Sequence, residues 1–324
     1  MLVSSKNKTN LQTEPRPEIR VEIVAPVHNR KDITLQCLKS LSRLDTDGLD
    51  VGVVIVDDGS TDCTGEEIRA TYPDVAVVEG DGNLWFTEGT NVGIRHAFEG
   101  DPKYLLLIND DQVFDAKSLE FMIETAEKHP RSVVGPLLLL WDTPHKLFQT
   151  SPVWETMSGG WRHWYSQTVW TVPNKPWKVD LIVGNCVLVP ATALKECGLM
   201  DSKRYPNFGD AEFTPRLRKA GWNLVIDPRA RVFCQPNTFP ARVRNKGLKQ
   251  LFHDLVIDLK NIHNLRRRLY ANLDGAPTRI EGLIAFIMFF VTTIAGRTTE
   301  RHEWAETQPE RPLSETFASA VVED

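Results

Sequence analysis

Apolar and polar positions alternate along this chain in two rhythms. Unbroken aliphatic runs at 21–27 (VEIVAPV), 51–56 (VGVVIV), 75–79, 104–108 (YLLLI) and 133–140 are separated by stretches whose apolar residues recur every three or four positions. Such a run fits a strand buried on both faces, as parallel strands are. Between the first two runs, Ile33, Cys37, Leu38 and Leu41 share one helical face. Residues 87–98 predict a second helix. Leu119, Met122, Ile123 and Ala126 predict a third, with Asp115 as its cap. Farther on, 179–189 reads as strand, 191–197 as a short helix, 213–220 as a helix ended by Gly221, and 223–226 as a last short strand. Strand and helix in alternation predict an α/β fold, a mostly parallel, doubly wound sheet flanked by helices.

Two segments break the rhythm. Residues 141–178 hold six of the nine tryptophans, several prolines and the Gly159-Gly160 pair, with no helical period. From residue 247 the period is helical again. Leu248, Leu251, Phe252, Leu255, Leu259 and Ile262 form a stripe that Arg266, Arg267 and Arg268 are expected to close. Residues 282–296 then run for fifteen positions without a charge, short of the ~20 needed to cross a bilayer. The expected organisation is a loose leader over 1–20 and a main domain over 21–240, with 141–178 as an acceptor-side insertion. A C-terminal helical extension over 241–300 and a polar tail over 301–324 follow.

The 324 residues are 41% hydrophobic and 25% charged, proportions of a globular protein. A net charge of −5 excludes global attraction to nucleic acid, so any anion site must be local. Cys37, Cys63, Cys186, Cys197 and Cys234 lack zinc-like spacing and read as reduced thiols. The N-terminus has no apolar signal core, which predicts a cytoplasmic location. The apolar run at 282–296 reads either as a buried core helix or, near Arg266–Arg268 and Arg279, as a peripheral contact with the cytoplasmic face of the inner membrane.

Three acidic stretches hold the candidate chemistry. Asp57-Asp58-Gly59-Ser60-Thr61-Asp62 directly follows an apolar run, where open parallel sheets bind ligands, and its carboxylates can accept hydrogen bonds from a base or ribose. It is equally good turn and cap sequence. Asn109-Asp110-Asp111 also ends an apolar run. Adjacent carboxylates repel unless a cation is shared, and hard oxygen ligands suit Mg²⁺ or Mn²⁺. Phe208-Gly209-Asp210-Ala211-Glu212-Phe213 opens a helix, where Asp210 reads either as a cap or as a general base.

Taken together, in this order, these segments resemble family 2 glycosyltransferases of the GT-A fold over about residues 21–236. Pro26-Val27-His28-Asn29-Arg30 is similar to the family's opening segment along the donor nucleotide. Val56 through Asp62 resembles V-D-D-G-S-x-D. Asn83-Leu84-Trp85 through Gly89-Thr90-Asn91-Val92-Gly93 resembles a stretch of rhamnosyl- and galactofuranosyltransferase-like members. The resemblance implies a donor-nucleotide set of Pro26, His28, Asn29, Arg30, Asp57, Asp58, Asn83, Trp85, Asn91, Asn109 and Asp110. It implies Asp110 and Asp111 as metal ligands for Mg²⁺ or Mn²⁺, and Asp210 as the base. Gly184, Asn185, Glu212, Trp161 and Trp164 are expected on the acceptor side. Two positions depart from the pattern: Gly209 stands where an acid usually precedes the base, and Phe233-Cys234-Gln235 stands where many members carry a metal-binding His.

The activity this implies is an inverting, metal-dependent transfer of a sugar from a UDP- or dTDP-sugar to a hydroxyl of a glycan or lipid-linked glycan. A GT-A domain that binds nucleotide or glycan without catalysis is the alternative. A sugar-phosphate nucleotidyltransferase fits less well, because no Gly-rich, basic triphosphate loop follows the first apolar run. His28, His96 and His163 lack metal-ligand spacing and read as packing or surface residues.

Overall fold

The structure is a computed structural model that describes residues 18–149, 152–162, 167–235, 248–261 and 264–294. Most of the leader (1–17), His163, Trp164, Ile262 and the polar tail lie outside the described residues. The first half follows the expected order: β1 (Ile19–Val27), α1 (Lys31–Leu41), β2 (Leu49–Asp57), α2 (Thr64–Thr71), β3 (Ala76–Glu79), α3 (Trp85–Ala97) and β4 (Tyr104–Ile108). After it come β5 (Gln112–Phe114), α4 (Ser118–Lys128), β6 (Ser132–Leu140), β7 (Leu147–Gln149) and the hairpin of β8 (Val153–Glu155) and β9 (Gly160–Arg162). The core ends with β10 (Trp177–Lys178), β11 (Cys186–Pro190), α5 (Ala191–Cys197), α6 (Asp210–Lys219) and β12 (Asn223–Cys234).

One sheet runs in the order β10-β12-β6-β11-β4-β1-β2-β3, with β5 paired to β12 and β7 to β6. Pairs among β4, β1, β2 and β3 are parallel, as is β6 with β12, whereas β11 is antiparallel to both β4 and β6. Successive side chains of a strand point to opposite faces, and both faces are buried here. Val21, Ile23, Ala25 and Val27 of β1 enter one core with Cys37, Leu38 and Leu41 of α1 and with α4. Val24 enters the other, with Ile94 of α3, Leu194 of α5, and Phe213 and Leu217 of α6. That double burial is why the strands read as unbroken aliphatic runs.

Helix α3 lies unusually close to the sheet. A Cβ on Gly93 would stand 2.4 Å from Val24 Cγ1, and one on Gly89 would stand 2.8 Å from Pro26 Cβ. The glycines of Gly89-Thr90-Asn91-Val92-Gly93 therefore serve helix–sheet contact.

Several expectations are corrected. Of 179–189, only Cys186–Pro190 is strand. The preceding loop gives its polar backbone to α6: Ile182 exchanges bonds with the Thr214 hydroxyl, and Gly184 N–H donates to Asp210. Strand β12 does not stop at Ile226. A bulge between Asp227 and Arg231 absorbs Pro228, and the fully buried Asp227 is satisfied by Arg229 and Thr125. Asp115 is not the cap of α4; its Oδ1 accepts from Lys117 N–H at 3.2 Å, one turn before the helix.

The stripe from residue 248 does not form one helix. α7 (Leu248–Phe252) runs into a π-helical turn, His253–Ile257, and the chain turns extended at Asp258. Asn264 then caps α8 (Leu265–Gly275), its side chain accepting from Arg267 N–H at 3.1 Å. Arg266–Arg268 thus open a helix rather than close one. α8 packs on α6 and on α9 (Arg279–Ile294). α9 has 16 residues, about 24 Å at 1.5 Å per residue. Among the described residues no helix is long and apolar enough to cross a membrane.

Candidate functional site

The carboxyl ends of β1, β2 and β4 meet at one edge of the sheet, and the reversed β11 brings its N-terminal end there too. Asn29, at φ 53, knots the first two ends together. Its main-chain N–H donates to Ser60 Oγ at 2.9 Å, and its side-chain oxygen accepts from Thr61 N–H at 2.7 Å. His28 Nδ1 donates to the Asp58 carbonyl at 2.6 Å, which leaves Nε2 to accept from the Asn29 amide at 3.0 Å. Asp57 accepts from Ser60 N–H at 3.0 Å, closing the turn. Asp62 caps α2 through Thr64 and also receives Lys31 N–H.

Asp58 is buried and fully engaged. Its Oδ1 accepts from the N–H groups of Gly82 (2.8 Å) and Leu84 (3.1 Å), and its Oδ2 from Trp85 N–H (2.9 Å). The carboxylate therefore shapes the loop into α3. Asn83 turns on Asp81 and is exposed. Trp85 follows at φ 59, in the left-handed region and 41% exposed. A bulky residue held there stores about 1–3 kcal/mol of strain, a cost found mostly at functional sites.

Asp110 and Asp111 share one cation in this structure, the Arg30 guanidinium, which lies 3.0 Å from Asp110 Oδ1 and 3.1 Å from Asp111 Oδ2. Thr34 Oγ1 donates to Asp110 Oδ2 at 3.1 Å. Burial, with Asp111 adding like-charge repulsion against the pull of Arg30, pushes Asp110 up to about 6. Asp111 Oδ1 and Asn109 Oδ1 are buried with no hydrogen-bond partner. The orphaned Asp111 Oδ1 and Asn109 Oδ1, with the Asp110 carboxylate beside them in sequence, are hard oxygens of the kind that fit a divalent cation. At the position of the expected His, Cys234 Sγ receives Gln112 Nε2 at 3.6 Å, and Gln235 N–H donates to the Asp111 carbonyl. Elsewhere, His253, Asp254 and Asp258 bring ligand atoms within 4.8 Å of one another. That group is separate from Asp110 and Asp111.

Asp210 is the first residue of α6, and its Oδ2 accepts from Gly184 N–H at 2.9 Å. Burial raises it above an ordinary carboxylate; the Gly184 N–H, the N–H groups of the helix start and the nearby Arg267 oppose that rise. Gly209 has a packing cause. A Cβ there would lie 2.6 Å from Thr87 Cγ2 and 2.9 Å from Thr87 Oγ1, so Thr87 fills the space an acid would need. Thr87 Oγ1 instead accepts Gly209 N–H at 3.2 Å.

These bonds close into a ring. Asp58 holds Trp85, two residues before Thr87, and Thr87 holds Gly209, next to Asp210. Asp210 holds Gly184, whose neighbour Asn185 accepts Asn109 N–H at 2.9 Å, next to Asp110. Arg30 returns from Asp110 to Asn29 and His28, and His28 to Asp58. A continuous run of short contacts and chain neighbours therefore links Asp58, Asp110 and Asp210.

Four expected site residues are engaged in internal contacts. Asn91 is buried and exchanges both amide ends with the main chain of Met200, at 2.9 and 3.1 Å, so it ties α3 to the loop before α6. Glu212 is buried and bound by Arg216, whose remaining N–H groups cap the Cys197 and Leu199 carbonyls. Trp161 packs edge-on to Trp154 at 5.1 Å and against Gly275 of α8. Pro26 lies under Gly89.

The structure adds residues that the sequence reading passed over. Phe208, at φ 67 and 44% exposed, stands two residues before Asp210 with the Arg267 guanidinium 4.4 Å from its ring. Lys260 Nζ lies 3.6 Å from the Trp85 ring centroid. The left-handed backbone of an aromatic residue leaves no sequence signal. The arginines were visible, but only as a basic run.

Residues 22–167 match the profile of Glycosyl transferase family 2. That segment carries a family 2 glycosyltransferase domain. Among curated relatives, the chain is 26% identical over 205 residues to the N-acetylglucosaminyl-diphospho-decaprenol L-rhamnosyltransferase of Mycobacterium tuberculosis, strains H37Rv and CDC 1551. That match covers 56% of this chain and 66% of the relative, just under two thirds of its length. Among solved structures, GalNAc-T7 with UDP, GalNAc and Mn²⁺ aligns at TM-score 0.56 and 13% identity, covering 86% of this chain and 57% of that one. S. aureus TarS 1–349 in complex with UDP aligns at TM-score 0.52 and 13% identity, covering 86% and 72%. These likenesses establish a GT-A fold.

Proposed function

We propose that this protein transfers a sugar, with inversion, from a UDP- or dTDP-sugar to a hydroxyl of a glycan or lipid-linked glycan. The observation that carries the reading is the Gly184–Asn185 link, which binds Asp210 on one side and Asn109, next to Asp110, on the other. One-step inversion needs a base on the face of the sugar opposite the leaving diphosphate, a two-sided logic shared with inverting glycosidases. Asp210 takes the acceptor hydroxyl proton on one side. The metal-binding residues are Asp110 and Asp111, with Asn109 Oδ1 beside them. Bound there, Mg²⁺ or Mn²⁺ supplies positive charge against the departing diphosphate. His28, Asn29, Arg30, Asp57 and the Asp58-held loop to Trp85 form the donor wall. The rhamnosyltransferase relative acts, by its name, on a diphosphate-linked lipid acceptor, which supports an acceptor of that class here.

Peripheral membrane contact belongs to the same reading. Ile280, Leu283, Ile284, Ile287 and Val291 are 39–74% exposed and fall within about a 100° arc of α9. The opposite face packs Gly282 on α8 and Phe289 on Gly159. A helix apolar on both sides, with Arg279 at its start, suits in-plane seating on an anionic surface. Ile287→Asp should weaken sedimentation with anionic vesicles without lowering Tm.

The test of the transferase reading is Asp210→Asn. Transfer should fall by about 10²–10⁴ while UDP or dTDP affinity in Mn²⁺ stays within a few-fold. Retained turnover would remove Asp210 from its role.

A further inference from the structure

Arg267, Arg268 and Lys260 of the C-terminal segment each lie over an aromatic ring, and Arg267 is the one that feels Asp210. The Arg267 guanidinium lies 4.4 Å from the Phe208 ring, and its Nη1 is buried without a hydrogen-bond partner. Arg268 donates to the Gly159 carbonyl at 3.2 Å and stacks 4.2 Å from the Phe289 ring, and its Nε is buried without a partner. Lys260 Nζ sits 3.6 Å from the Trp85 centroid. Trp85 and Phe208 are themselves close, because they flank the Thr87–Gly209 hydrogen bond.

A guanidinium withdrawn from water is costly unless an anion or a full set of acceptors compensates it. Arg267 has neither. Burial and the adjacent Arg268 pull it down to about 10, with Asp210 and Asp258 only partly offsetting them, so it stays charged at neutral pH. Among the described residues no carboxylate lies within ion-pair distance of Arg267, Arg268 or Lys260. In a chain of net charge −5, Arg267 is a local positive charge beside the proposed base. Both Trp85 and Phe208 are in left-handed backbone, strain that packing alone would not require.

We propose that Arg267, with Lys260 on the neighbouring aromatic ring, forms a diphosphate-binding site on the C-terminal segment at the Asp210 side of the cleft. The planar fork of Arg267 suits two phosphate oxygens, and Lys260 adds a mobile point charge. The proposal extends the glycosyl-transfer reading, in which a diphosphate reaches this place on the nucleotide donor or on a lipid-linked acceptor.

The site can be tested without turnover. Inorganic diphosphate is titrated by calorimetry into the full chain in EDTA, which removes any metal from Asp110 and Asp111. The wild-type protein should bind, Arg267→Gln should bind at least tenfold more weakly, and Arg267→Lys should fall between. Absent binding by the wild type, or an unchanged Kd in Arg267→Gln, overturns the site. Should Arg267→Gln not fold, Arg267→Lys supplies the same comparison at smaller amplitude, and equal affinity there overturns it. Parallel titrations with UDP and with a short-prenyl diphosphate-linked N-acetylglucosamine separate the sources: weakening confined to the nucleotide marks a donor site, and weakening confined to the lipid an acceptor site. Because no sugar is transferred, failure here is distinguishable from failure of Asp210→Asn.

Discussion

Replacing Gly184 by alanine adds one methyl group where a Cβ would lie 2.6 Å from Asp210 Cβ and 2.9 Å from its Cγ. Ordinary contacts between such atoms are about 3.5–4 Å, so the two segments must part by about 1 Å. Asp210 cannot yield freely, because it opens α6, whose Phe213 and Leu217 are anchored in the core. Overpacking of this kind costs about 1–3 kcal/mol. For a chain of this size that is a fall in Tm of at most about 2–4 °C per kcal/mol. The larger effect falls on chemistry: the proposed base, displaced by 1 Å, should lose about 100-fold in rate. Initial-rate transfer assays, with calorimetric titration of UDP or dTDP in Mn²⁺, separate the two sides of the cleft. Gly184→Ala should lower kcat about 100-fold and leave nucleotide affinity within a few-fold. Wild-type kcat, or lost nucleotide binding at normal kcat, would refute the argument that Gly184 positions Asp210.

Further outcomes follow from the same contacts. Gly209→Glu, which restores the acid common in the family, should destabilise by about 1–3 kcal/mol through collision with Thr87. Adding Thr87→Ala should recover part of that loss, and a denaturant double-mutant cycle should show coupling above about 0.5 kcal/mol. Asp58→Ala strands three N–H groups, at Gly82, Leu84 and Trp85, and should cost about 3 kcal/mol; hydrogen exchange should show lost protection confined to that loop. Asp210 is raised above its ordinary 3.8 in the folded chain, so folding favours its protonated form, and its ionisation costs stability as pH rises. Asp210→Asn should therefore be more stable than wild type near pH 8, with the gain vanishing toward pH 4. The acid limb of wild-type kcat should lie above the normal carboxylate range, and a limb at or below pH 4 would contradict this.

The sheet was legible because burial on both faces writes itself as continuous aliphatic runs. The acidic loops were legible because each directly follows such a run. Packing inside the motifs was not. Gly89-Thr90-Asn91-Val92-Gly93 read as a binding stretch, yet its glycines seat α3 on Val24 and Pro26, and its Asn is consumed by Met200. Glu212 read as acceptor-facing because one sequence shows spacing but not Arg216, four residues on, which claims its carboxylate. The C-terminal stripe read as one helix because hydrophobic period does not register a break. Asp258 and the Asn264 cap, both local backbone choices, decide it. Trp161 illustrates the same limit: aromatic content says that a ring will be covered, not by what.

Strand β11 runs against its neighbours, and this has a consequence for how the enzyme can diversify. In a uniformly parallel sheet, each connection that reaches the working rim departs from a strand. Here one arrives, so the long variable excursion between β6 and β11 must end, whatever its length, at Gly184 and Asn185. New recognition surfaces can be grown in that excursion without moving the proposed base, because its exit is pinned to the last rungs beside β4.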